Sequence, residues 1–222
     1  MRAYKEKTLW KMNLLILRRS IPILAGMAVL ILLVFPLSFV LDLIKREMSE
    51  ARAKGLLMIH GLFPLGSLLP CLALVPAWME ENSSELLHAV CRSKTPCGMQ
   101  LLWAFRFYSL LLLLPVMAAC VLLQLTPIEL FRMLAELLLV TGACYFLLLL
   151  LRSALLGGML VTLYVLFCLL TCRSEEMKEF CILRPDLEYA GEFFFSEGSV
   201  LLPAALVLWV AAFLLERNRR IL

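Results

Sequence analysis

From Met133 to Thr171 the sequence gives a folding chain almost nothing with which to face water. Arg152-Ser153 and the pair Gly157-Gly158 punctuate this run. A single helix of that length would be about 60 Å long at 1.5 Å per residue. The hydrocarbon core of a bilayer is only ~30 Å thick. Two helices folded into a tight hairpin satisfy both constraints and place spans at about 134–151 and 154–171. Four further stretches are long and apolar enough to cross, at about 21–44, 56–78, 101–123 and 199–215, and the first carries no charge before Asp42. The chain as a whole is 63% hydrophobic and 17% charged, with a mean hydropathy of +0.93. Soluble domains lie nearer about 45–50% apolar, and a core of this size cannot hide such a surplus. The expected fold class is therefore an all-α integral membrane protein, with residues 1–222 forming one transmembrane domain of six helices.

Lys and Arg counts in the short connecting segments set the expected orientation. With the N-terminus inside, 13 of the 21 basic residues fall on the inner side and 8 on the outer. Both termini are thus expected in the cytoplasm. Six basic residues occur in the first 20. The apolar stretch after them is too long for a cleaved signal core and lacks a small-x-small exit, so the N-terminus is expected to be retained. A net charge of +4 needs no nucleic-acid partner, because basic flanks beside anionic lipid account for it. Eight cysteines are dispersed. Cys71, Cys120, Cys144 and Cys168 fall within spans as small apolar fillers, Cys91 and Cys97 face the cytosol, and Cys172 and Cys181 share the outer side, where they either pair or stay reduced.

Several local patterns refine this layout. Residues 5–19 read as an interfacial helix, with Lys7, Lys11 and Arg18 on one face and Leu9, Met12 and Ile16 opposite; a purely topogenic basic flank is the alternative. The charged segment 45–55 is expected to be helical. Pro64, Pro70 and Pro76 suggest a bent second span, tolerated where neighbours satisfy the freed carbonyls. His60, at its outer end, reads as an interfacial side chain. Glu129, Arg132 and Glu136 are spaced to pair along one helix face. Glu136 lies deepest, and an intramembrane carboxylate is a candidate functional group. The segment 172–198 mixes acids with aromatics and reads as short outer-leaflet or re-entrant helices, and ERNRRIL closes the chain as an inside-positive anchor.

Met79 to Gln100 is a polar interruption with the grammar of a helix. Asn82 can cap it and Glu85 can return the bond. Glu81, Glu85, His88 and Arg92 form a polar stripe, with Leu86, Leu87 and Val90 on another face. Arg92 and Lys94 suit the C-terminal dipole, and Thr95-Pro96 ends the helix. Lipid contact alone is a poor fit, because anionic lipid repels Glu80, Glu81 and Glu85. A cytosolic protein partner fits better.

Catalytic and ligand-binding signatures are missing. There is no Walker-type glycine loop. His88, Cys91 and Cys97 supply too few ligands for a metal site, and no nucleophile or carboxylate is expected beside a histidine base within a span. Intramembrane prenyl-protein-type proteases carry Glu-Glu-x-x-x-Arg and later histidines. Here Glu80-Glu81 is followed at the required place by Glu85, and no histidine follows His88. No enzyme activity and no cofactor are expected.

The layout resembles the permease subunits of type-2 ABC exporters. The motif-level similarity lies in EENSSELLHAVCRSKTPCGMQLLWAFR: acidic Glu80 and Glu81, the core Glu85-Leu86-Leu87, then Pro96 and Arg106. The family often has Gly-Thr where this chain has Ser83-Ser84, and Lys where it has Arg106. The resemblance implies an export permease that works in pairs, homo- or heteromeric, and docks a separate ATPase subunit. Residues 81–94 would be the coupling helix, docking through Glu81, Glu85, His88 and Arg92, and 172–198 the extracellular gate. The alternative is a non-transporting membrane scaffold or immunity protein. A channel or secondary carrier ranks last, because the first, third and fifth spans carry few polar groups.

Overall fold

The computed structural model describes residues 48–79, 127–171 (its 152–153 break included) and 198–219, together with scattered positions in 11–22, 99–106, 117 and 180–183. Among the described residues the protein is helical, with no strand. Four long helices carry the fold: α1 Met48–Met79, α2 Pro127–Leu151, α3 Ala154–Thr171 and α4 Gly198–Arg219. By length and composition two segments can cross a membrane, Phe131–Leu151 in α2 and Val200–Asn218 in α4. Phe63–Ala77 and Leu155–Thr171 are shorter apolar helices.

α2 is the central rod. Its buried residues include Arg132, Met133, Ala135, Glu136, Leu137, Val140, Cys144, Tyr145 and Leu148. These cover nearly the whole girth of the helix, because α1, α3 and α4 all pack on it. The other helices bury single stripes. On α1 the stripe runs His60, Pro64, Ser67, Cys71 and Leu74, steps of three and four that keep one helix face inward. On α4 it runs Leu201, Ala205, Trp209, Ala212 and Glu216. On α3 it is Gly157, Gly158, Val161, Val165 and Cys168.

The direction of each helix follows from its contacts. His60 meets Glu136 and Cys71 meets the Thr141 carbonyl, so α1 and α2 climb together. Leu139 packs with Leu201 and Ala205, whereas Tyr145 reaches Glu216, so α4 is parallel to α2 as well. Between α2 and α3 the helix breaks at Arg152, which adopts φ 53°, and at Ser153. A Cβ at Gly157 would lie 3.0 Å from the Leu148 backbone nitrogen. Nine residues along a continuous helix span about 13.5 Å, so α3 has turned back on α2. Ser153 caps the new helix: its Oγ accepts from the Leu156 amide at 3.3 Å and its carbonyl from the Gly157 amide at 3.1 Å, an ordinary N-cap arrangement.

α1 stays a single helix through Pro64, Pro70 and Pro76, and it takes up the charged segment from Met48 onward. Its 32 residues make it about 48 Å long. Near the N-terminus, Lys11, Met12 and Leu14–Ile16 are helical. Met12 and Ile16 pack against the bundle core, while Lys11 and Arg18 are exposed. The apolar side of this helix thus meets protein, where the sequence pattern alone suggests a lipid surface. Beyond α3, Cys181 and Leu183 return to the core. Tyr164 donates to the Phe180 carbonyl at 3.0 Å, and the Cys181 thiol lies 3.0 Å from the Thr171 hydroxyl.

Candidate functional site: a buried histidine, glutamate and arginine

Glu136 lies at the centre of a polar cluster inside the bundle. His60 on α1 lies with Nδ1 2.6 Å from one carboxylate oxygen. Arg132, one turn earlier on α2, donates from Nε to the other oxygen at 3.1 Å. All three residues are at most 1% exposed. An ionised carboxylate only accepts, so His60 supplies the proton in its contact from Nδ1. Both carboxylate oxygens are thereby engaged.

Local sequence accounts for each position. Arg132 and Glu136 are four apart on one helix, the spacing at which side chains meet. His60 arrives from another helix, eleven residues before Cys71 on the same inward stripe. Pro64 supplies no amide for the His60 carbonyl. Removing one member of a buried ion pair leaves an uncompensated charge in a medium that solvates it poorly. The cluster therefore fixes α1 against α2 at a defined register. Its chemistry is that of a bridge: Glu136 holds two donors from two helices.

A second buried carboxylate lies toward the other end of α2. Glu216 is 1% exposed and accepts a hydrogen bond from the Tyr145 hydroxyl. The Tyr145 ring lies 5.5 Å from Trp209 and 6.2 Å from Phe213 between ring centroids, distances typical of aromatic pairs. Trp209 donates from Nε1 to the Leu138 carbonyl at 3.1 Å. Gly142 makes this approach possible, since a Cβ there would lie 2.8 Å from the indole Cδ1.

At these buried polar groups sequence reading and structure differ at three points. His60 is buried and bonded to Glu136, where sequence places it at an interface. It was missed because its partner is 76 positions away; the available signal was its phase with Ser67, Cys71 and Leu74. Secondly, a carboxylate does sit beside a histidine within the apolar core. Thirdly, Glu216 belongs to the core and not to the basic tail, while Arg217 beside it is exposed. Arg132 and Glu136 are paired as their spacing suggests. Glu81, Glu85, His88 and Arg92 of the expected coupling segment lie outside the described residues, as do Asn82, Pro96 and Cys172; Glu129 falls in the first turn of α2. Among the described residues no three His, Cys, Asp or Glu side chains gather as metal ligands.

No family model matches the chain, and no curated protein or solved structure matches it significantly.

Proposed function

We propose that this chain is the membrane-spanning permease subunit of an ABC-type exporter, paired with a second permease and driven by a separate cytosolic ATPase subunit. The observation that carries this reading is the join at Met79. There the amphipathic segment 80–96, with its capped-helix pattern, directly follows a helix that a buried charge cluster ties to the central rod. A push on that segment would be handed to α1 and, through His60 and Glu136, to α2. The acidic stripe Glu81 and Glu85 offers charge complementarity to a basic docking groove.

A multi-pass arrangement in the cell membrane is part of the proposal. α3 and α4 turn long apolar side chains outward: Leu155 is 71% and Leu170 82% exposed, and Leu206 and Val207 about 65%. Water does not favour faces of this extent, whereas lipid does. Parallel α1 and α2 also require the chain between them to return to its starting side, which the apolar stretch 101–123 is long enough to do. Together with 21–44, this gives six crossings and both termini in the cytoplasm.

The decisive experiment is co-purification. The tagged full chain is expected to retain an ATPase subunit through detergent extraction, and Glu85→Arg to weaken that association without affecting membrane insertion. Unchanged association and unchanged transport-coupled ATP hydrolysis in the variant would remove the coupling-helix assignment. A chain that inserts but recruits no ATPase would favour the scaffold or immunity reading.

A further inference from the structure

Beside the junction of α1 and α3 lies an open groove of about 370 Å³, lined by Leu72, Leu155, Gly158, Met159, Thr162 and Leu163. Its volume is at the lower end of the ~300–1,000 Å³ that small-molecule sites occupy. We propose that it binds one acyl tail of a bilayer phospholipid; this rests on the membrane reading above.

The chemistry of the walls selects the occupant. Among the described residues no charged side chain lines the groove. The Thr162 hydroxyl at its wall donates to the Gly158 carbonyl of its own helix at 2.8 Å. A polar ligand would lose its water and gain little in return, whereas an alkyl chain forfeits nothing. The floor is set by close packing, since a Cβ at Gly158 would come 2.6 Å from the Leu72 Cδ2 atom. Helix partners in membranes approach through small residues. On α3, Gly157 and Cys168 are turned inward, and Gly158 is already taken up in the contact with Leu72. Leu155, Met159 and Leu163, each more than half exposed, are long and flexible. Such side chains suit a tail better than the face of a second copy.

The full chain, reconstituted in phosphatidylcholine vesicles containing a phosphatidylcholine with a diazirine on its acyl tail, tests this by illumination and peptide mapping. Labelling of the peptide carrying Leu155 to Leu163 is expected to exceed that of Leu206 to Val210, on the outer face of α4, several-fold. Met159→Trp and Leu163→Trp, which fill the groove from its rim, should bring it down to the α4 level while circular dichroism shows the helices intact. Equal labelling of both faces in the unaltered chain would mean annular lipid only and would overturn the proposal. Efficient disulfide cross-linking of Met159→Cys between two chains would overturn it in favour of a second copy. Failure of the membrane reading itself would be seen separately, as release of the chain from vesicles by alkaline carbonate.

Discussion

A carboxylate with two donors behaves differently from a carboxylate with one. Glu136 accepts from His60 and from Arg132, so deleting it takes the carboxylate partner from a buried guanidinium and removes a hydrogen bond to α1. Glu136→Leu is expected to cost about 3–5 kcal/mol, the range for breaking a buried ion pair from one side. Replacing His60, Arg132 and Glu136 together by Phe, Met and Leu removes the desolvation problem along with the bond, and should return most of that loss. Thermal unfolding in detergent measures both. A triple variant no more stable than Glu136→Leu would show that the cluster contributes more than charge balance. At Arg152 the expectation reverses. Its φ of 53° is a conformation that costs a side-chain-bearing residue roughly 1–2 kcal/mol. Arg152→Gly should therefore raise the unfolding midpoint, offset in part by the greater freedom of glycine in the unfolded chain.

Helix pairs here are set by what glycine leaves open. Gly142 lets the Trp209 indole reach the Leu138 carbonyl, and Gly142→Ala is expected to push α2 and α4 apart at a cost of about 1–3 kcal/mol. Loss of stability together with a shift in tryptophan emission would register it; an unchanged melt would mean the indole can swing away freely. How far the elements were legible depends on the range of the forces that make them. The hairpin break was readable because Arg152-Ser153 interrupts an apolar run locally, and the Arg132–Glu136 pair because its spacing is helical. His60 with Glu136 and Tyr145 with Glu216 were not readable, because each pair joins helices that sequence spacing does not relate. Only the stripe phase of His60 on α1 and of Glu216 on α4 hinted that these groups turn inward. The packing of Met12 and Ile16 on the core was hidden for the same reason: an amphipathic pattern gives a wet side and a dry side, but not whether lipid or protein covers the dry one.

At the level of the whole molecule, the described helices are unequally enclosed and mostly run one way. α2 is enclosed on nearly every side, while α3 and α4 bury one stripe each. On the proposed topology, green fluorescent protein fused after Leu222 should fluoresce and alkaline phosphatase fused there should be inactive. The reverse pattern would invert the assignment of the faces. The common direction of α1, α2 and α4 has an electrical consequence. Each helix carries a macrodipole equivalent to roughly half a positive charge at its N-terminal end, and α3 alone opposes the other three. The described helices therefore leave a net dipole with its positive pole on the side of His60 and Arg132. Glu136 sits toward the pole that favours a carboxylate, and Glu216 lies near the one that does not, where the Tyr145 hydroxyl meets it. On the proposed six-span topology the stretches 21–44 and 101–123 run with α3 and balance the sum, so the sign is felt at the helix ends nearest each carboxylate and not across the bundle.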